Sequence, residues 1–141
     1  MAKNKLTETY AWNRQDIFVA EILNRKENGF YVEIGSNEPT LGSNTYLLEK
    51  DYGWNGLSLD NEPIVTARFN DMRKNKAIVA DATTFDYLSY FRDNHFPKQI
   101  DYLSIDVDGN YRFDGVREPN NSLLSLISLP LTTYRFSIIH Y

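Results

Sequence analysis

The sequence contains no cysteine, which excludes disulfide bonds and metal sites built on thiolates. The absence fits a cytoplasmic protein, and we expect that location. Long apolar runs are also missing, because no stretch approaches the ~20 apolar residues of a membrane span. The polar start "MAKNKLTETY" has no apolar core of a signal peptide. We therefore expect neither a membrane partner nor a secretory leader.

Basic residues are outnumbered by acidic ones. The 141 residues include 15 Lys and Arg against 19 Asp and Glu, so that the net charge is -4. The longest basic cluster is "RKNK", from Arg73 to Lys76. This balance argues against a nucleic-acid partner.

Apolar runs alternate with turn residues along the chain. Helical spacing and capping residues predict helices over 13–26, 43–52, 62–75, 83–94 and 120–129. Short apolar runs predict strands over 30–34, 56–60, 76–80, 100–106 and 134–141. We expect "ENG" at 27–29 to end the first helix, and Thr83 or Thr84 to cap the fourth.

This alternation predicts an α/β fold. The strands are continuous apolar runs, as expected when both faces of a sheet are covered. We therefore expect a doubly wound, mostly parallel open sheet of about five strands. Residues 1–12 are predicted to form an N-terminal arm, and residues 13–141 a single domain.

A carboxylate lies at or just after the end of four predicted strands, on Glu33, Asp60, Asp81 and Asp106. In open α/β sheets, ligands bind beyond the carboxyl ends of the strands, so we expect these side chains to converge. Carboxylates repel phosphate but accept hydrogen bonds from ribose hydroxyls, amines and ammonium groups. The pattern therefore favours a cationic, phosphate-free, ribose-containing cofactor, which is S-adenosyl-L-methionine.

The turn after the first predicted strand reads "EIGSN". Gly35 would let a ligand approach the backbone, and Asn37 tolerates a positive φ where a second glycine might stand. The turn lacks both the lysine of a P-loop and the G-x-G-x-x-G spacing. A phosphate-using NAD enzyme is therefore the weaker interpretation.

Two stretches together resemble a known family. They are "FYVEIGSNEPTLGSNTYLLEKDYGWNGLSLDNEP" and "IDYLSIDVDG". The chain is similar to FkbM-type methyltransferases in four motifs: the V-E-I-G turn, the S-N-T helix start, the G-W-x-G-L turn and the I-D-Y-L-S-I-D strand. These are class I enzymes with a Rossmann-like fold that use S-adenosylmethionine to O-methylate small molecules, often sugars. The resemblance covers roughly residues 13–141.

The resemblance implies a role for each strand end. Asp60 would bind the ribose, Asp81 would face the adenine amine, and Asp106 would lie nearest the transferred methyl group as the catalytic residue. Glu33 would line the methionine end of the cofactor. The residues expected to bind the cofactor are Glu33, Gly35, Ser36, Asn37, Ser43, Asn44, Asp60, Asn61, Asp81 and Ala82.

Plainer structural interpretations stay open for three of these acids. Glu33 could be a partly buried acid satisfied by backbone donors. Asp60 could cap the helix that contains Pro63, and Asp81 could cap a helix that starts at Thr83. Asp106, Asp108 and Asn110 offer oxygen ligands of the kind that Mg²⁺ or Ca²⁺ prefers, but we predict no metal there.

The family's sheet has seven strands, whereas only five are visible before the chain stops at "SIIHY". We therefore expect the C-terminal strands to be missing, either because the chain is a fragment or because a partner supplies them. The expected function is methyl transfer to the hydroxyl of a small-molecule acceptor. The alternative is a catalytically inactive nucleotide-binding or assembly module of the same fold. An exposed sheet edge would also allow a homo-oligomer.

Overall fold

The computed structural model describes residues 8–107 and 121–141. Helices and strands alternate through these residues. In chain order they are α1 (Gln15–Ile22), β1 (Phe30–Ile34), α2 (Tyr46–Tyr52), β2 (Asn55–Asp60), α3 (Pro63–Met72), β3 (Ala77–Val79), α4 (Tyr87–Asp93), β4 (Gln99–Ile105), α5 (Asn121–Ser128) and β5 (Arg135–His140). The predicted order of elements is confirmed.

The strands form one sheet in the order β3-β2-β1-β4-β5, and each neighbouring pair is parallel. The chain builds outward from β1 to β3 on one side, and then returns to place β4 and β5 on the other. Strand order therefore reverses between β1 and β4. Such a reversal opens a crevice at the carboxyl ends of the two strands.

Helices cover both faces of the sheet. On one face, Val32 of β1 packs in a buried cluster with Phe91 of α4. On the other face, Tyr31 packs with Ala20 of α1 and Leu48 of α2. Neighbouring residues of a strand point to opposite faces, so one strand contributes to both clusters. The predicted doubly wound α/β class is confirmed.

The predicted end of the first helix is wrong. α1 ends at Ile22, because Asn24 and Arg25 adopt left-handed conformations with φ of 51° and 56°. Two such residues cannot continue a right-handed helix. The chain has therefore left the helix before it reaches the "ENG" turn.

The predicted start of the fourth helix is also wrong. α4 begins at Tyr87, and the carboxylate of Asp86 accepts a hydrogen bond of 3.1 Å from the backbone N–H of Ser89. Asp86 is thus the N-cap residue, and neither Thr83 nor Thr84 has that role. Residues 81–84 form a separate turn, so their polar groups lie beyond the carboxyl end of β3.

The described part of the predicted N-terminal arm is attached to the domain. Asp16 is completely buried and accepts hydrogen bonds from the hydroxyl of Thr9 at 2.6 Å and from the backbone N–H of Tyr10 at 2.7 Å. The carbonyl of Tyr10 in turn accepts a bond of 2.7 Å from the N–H of Gly42. The arm therefore packs against the loop that follows β1.

Within residues 8–107 and 121–141, no helix is long and apolar enough to cross a membrane. In the same residues, β3 and β5 each pair with a single neighbouring strand, so they are the two edges of the sheet.

Candidate functional site

A cleft of about 480 Å³ lies at the carboxyl ends of β1 to β4. Its volume falls in the range of small-molecule sites, and it lies at the strand-order reversal where such sites form. Most residues predicted for the cofactor site line it, together with the predicted catalytic acid: Gly35, Asn37, Asp60, Asn61, Asp81, Ala82 and Asp106.

The first wall of the cleft is the turn that follows β1. Gly35 has a φ of 83°, and a side chain there would collide with the backbone carbonyl of Asp106. The two strand ends are joined by a 2.9 Å hydrogen bond from the N–H of Asp106 to the carbonyl of Ile34. Glycine is therefore required by the protein's own backbone, and because Gly35 also lines the cleft, the approach of a ligand to it stays a prediction. Asn37 adopts a φ of 43°, the positive value predicted for it.

Asp60 joins two of the loops that line the cleft. Its Oδ2 accepts a 3.0 Å hydrogen bond from the N–H of Asn37, and its Oδ1 accepts one of 3.0 Å from the N–H of Glu62. The N-cap residue of α3 is Glu62, so Asp60 does not cap that helix and this alternative is wrong. Each carboxylate oxygen has two lone pairs, so Asp60 can still accept hydrogen bonds from a ligand.

Asp81 shapes the turn after β3. Its Oδ1 accepts hydrogen bonds from the backbone N–H of Thr83 at 2.8 Å and from the hydroxyl of Thr83 at 2.6 Å. The bonds from Thr83 hold the pKa of Asp81 below its usual value, because they stabilise the carboxylate. Asp81 therefore presents a negative charge to the cleft and caps a local turn rather than α4.

The opposite wall is formed by the end of β4 and by α5. Asp106 is exposed at the end of β4, and Asn121 and Ser125 of α5 line the same cleft. Ser125 is completely buried, and its hydroxyl has no hydrogen-bond partner in the described part of the chain. Nothing in the sequence pattern indicates either α5 residue.

The cleft is strongly acidic. Its described lining residues include four carboxylates and no lysine, arginine or histidine; the acids are Asp60, Glu62, Asp81 and Asp106. A phosphate group would be repelled by these charges, whereas hydroxyls, amines and cations would find acceptors. This is the chemistry predicted from the strand ends.

Glu33 lies elsewhere, although the sequence predicts that it lines the cleft. Its side chain is buried, and its Oε2 accepts hydrogen bonds from the hydroxyls of Thr45 at 2.9 Å and Ser58 at 3.0 Å. Its hydrogen-bond donors are side chains, so the alternative of backbone donors is also wrong. Burial raises the pKa of Glu33 to about 7, and the nearby positive charge of Arg73 opposes that rise.

Arg73 organises this buried region. Its five N–H donors are all used: Nε pairs with the carboxylate of Glu49, and the other four bond to Pro39 O at 2.9 Å, Ser43 Oγ at 3.2 Å, Tyr31 OH at 3.2 Å and Thr45 Oγ1 at 3.1 Å. We call Arg73, Glu49, Glu33, Tyr31, Ser43 and Thr45 the Arg73 network. It anchors the loop between β1 and α2, and in the sequence Arg73 was only part of a short basic cluster.

The remaining predicted residues, Ser36, Ser43 and Asn44, are not among those that line the cleft. Ser43 accepts hydrogen bonds from the N–H groups of Thr45 at 3.2 Å and Tyr46 at 3.1 Å, but the N-cap residue of α2 is Thr45, so the predicted helix start at residue 43 is wrong. Asn44 donates a 3.1 Å bond to the hydroxyl of Ser104. Ser36 is buried beside Gly35, and its hydroxyl has no partner among the described residues.

In the described residues, no group of three or more His, Cys, Asp or Glu side chains could hold a metal ion. Asp108 and Asn110, the possible oxygen ligands beside Asp106, lie outside these residues.

Comparisons with models of known families, with curated proteins and with solved structures give no match for this chain. The shape and charge of the cleft are therefore the main guide to its function.

Proposed function

We propose that this chain binds S-adenosyl-L-methionine in the cleft and transfers its methyl group to the hydroxyl of a small molecule. The observation that carries the proposal is the acidic cleft, where Asp60, Asp81 and Asp106 from successive strand ends line one cavity. S-adenosylmethionine is a cation with ribose hydroxyls, an amine and no phosphate. The resemblance of the two sequence stretches to FkbM-type methyltransferases supports the same choice.

Each acid would have a distinct task. Asp60, held by the N–H groups of Asn37 and Glu62, would accept hydrogen bonds from the ribose hydroxyls. Asp81, held by Thr83, would accept a hydrogen bond from the amine of the adenine ring. Because both carboxylates are oriented by other groups before a ligand arrives, little ordering is needed on binding.

Asp106 is the residue that we assign to the chemical step. It is exposed at the end of β4, lines the cleft and follows the strand that neighbours β1. When bound, the cofactor supplies a methyl group activated by a positively charged sulfur. The carboxylate of Asp106 would take the proton that the acceptor hydroxyl loses, while the cleft holds the reacting groups in position.

A catalytically inactive nucleoside-binding module is the second candidate. The observation that favours it is the position of Glu33, which is buried in the Arg73 network. Without Glu33, the described contacts serve the nucleoside half of the cofactor better than the methionine half. A module of this kind would bind adenosine as tightly as the complete cofactor.

Calorimetric titration with S-adenosylhomocysteine, adenosine and ATP tests both candidates. A methyltransferase should bind S-adenosylhomocysteine more tightly than adenosine, and ATP weakly because its phosphates meet the acidic wall. Equal affinity for S-adenosylhomocysteine and adenosine would favour the inactive module. ATP binding tighter than either would contradict the proposed chemistry of the cleft.

The variant Asp60→Asn tests the ribose contact. It keeps the size of the side chain but removes its charge and one of the two oxygens that accept from backbone N–H groups, and we expect S-adenosylhomocysteine to bind about tenfold to hundredfold more weakly. Asp93→Asn is the matched control, because Asp93 is 63% exposed and pairs with the neighbouring Arg92. Equal losses of affinity in both variants would mean that Asp60 has no specific role.

A further inference from the structure

We propose that Ser125 is a ligand-binding residue of the cleft, and that its hydroxyl hydrogen-bonds a ring nitrogen of the adenine base. The inference rests on the proposed function and deepens it by assigning the base end of the site to α5.

Four hydroxyls in the described residues are buried without a partner, and among them that of Ser125 alone belongs to a residue that lines the cleft. The residue is completely buried and lines the cleft, yet its hydroxyl bonds to no atom of the described chain. A helical serine commonly bonds back to the carbonyl four residues earlier, and Ser125 does not do so. Buried hydroxyls without partners are rare in folded proteins because they destabilise the fold.

The other serines of the same helix do have partners. Ser122 donates a 3.0 Å hydrogen bond to the carbonyl of Val107, after β4. The single hydroxyl hydrogen of Ser128 lies within reach of two carbonyl acceptors and is shared between them: Thr83 O, after β3, at 2.8 Å and Leu124 O at 2.6 Å. These bonds fix α5 against two of the loops that line the cleft. Ser125 lies between them in a helix that is held in place.

The position of α5 indicates which part of a ligand Ser125 would meet. Asn121 precedes Ser125 by one helical turn, so both lie on the same face of α5, and both line the cleft. The bond from Ser128 to Thr83 places this helix beside the turn that presents Asp81. The carboxylate of Asp81 can accept a hydrogen bond from an amine, and the hydroxyl of Ser125 can donate one to a ring nitrogen. An adenine edge offers these two groups side by side.

The test measures stability and binding in the same variants. Ser125→Ala removes the unpaired hydroxyl, so the melting temperature of the ligand-free protein should rise by about 3 °C. Its affinity for S-adenosylhomocysteine and for adenosine, measured by calorimetry, should fall about tenfold. Ser128→Ala is the contrasting variant, because it loses the hydrogen bond that this hydroxyl makes in the folded protein, and its melting temperature should fall.

A second substitution separates hydrogen bonding from volume. Ser125→Cys fills the same space with a weak donor, so it should bind S-adenosylhomocysteine as weakly as the alanine variant. Wild-type affinity in both variants would overturn the role of Ser125 while leaving the proposed function standing. Failure of the wild-type protein to bind either ligand would instead refute the proposed function, and the inference with it.

Discussion

The substitution Glu33→Gln should change how the stability of the protein depends on pH. Glu33 is buried beneath the loop that follows β1, and burial raises its pKa from 4.5 to about 7. Glutamine has nearly the same shape and keeps an oxygen that can accept from Thr45 and Ser58, but it cannot ionise. The variant therefore isolates the ionisation of this one carboxyl group.

The sign of the effect follows from proton binding. Between pH 4.5 and 7, the folded protein holds a proton on Glu33 that the unfolded chain has released. The free energy of unfolding of the wild type therefore falls as pH rises through this window, and the contribution of Glu33 is complete only below pH 4.5. At 1.36 kcal/mol per pH unit, the loss amounts to about 3 kcal/mol.

Urea denaturation of both proteins at pH 5, 6, 7 and 8 measures this effect. We expect the stability of Glu33→Gln relative to the wild type to increase by about 2.5 kcal/mol between pH 5 and pH 8, because a part of the whole effect has already occurred at pH 5. Glu27→Gln is the control, since Glu27 is exposed and its substitution should give no such slope. A constant difference between Glu33→Gln and the wild type across this range would refute the reasoning.

Two further substitutions test the framework of the site by urea denaturation. Arg73→Met leaves the buried carboxylate of Glu49 without its arginine, so we expect a loss of about 3–5 kcal/mol. The exposed control Arg68→Met should lose less than about 1 kcal/mol, and equal losses would contradict the central position of Arg73. Gly35→Ala meets both a positive φ and the carbonyl of Asp106, so it should cost at least about 1–3 kcal/mol, and unchanged stability would contradict this close approach.

The fold was predictable because its signals are local. Each strand is a short apolar run bounded by turn residues, and the strand positions were predicted to within one residue. Three strand-end acids were placed correctly at the cleft for a general reason, since the carboxyl ends of parallel strands meet at one edge. Helix ends were less predictable, as shown by Asn24 and Asp86, because several nearby residues could have served as caps.

The rest of the site depends on contacts between distant parts of the chain. Gly35 is needed because of the backbone of Asp106, which is remote in sequence. Glu33 is buried, where it accepts hydrogen bonds from Thr45 and Ser58. Arg73 is buried beside them and donates to Thr45, and no local sequence pattern predicts its position. An acid at the end of a strand can therefore either line the cleft or lie buried in the core. The residues next to it in the sequence do not predict which of these two positions it takes.

The most direct test of the central claim is a titration of ¹⁵N-labelled protein with S-adenosylhomocysteine, followed through the backbone amide signals. The account predicts that the amides of Asn37, Glu62 and Thr83, which donate to Asp60 and Asp81, shift in parallel as the ligand is added. The amide of Ser89, which is bonded to Asp86 outside the cleft, should stay unchanged. Shifts confined to other regions, or none at millimolar ligand, would contradict an adenosyl site at the strand ends.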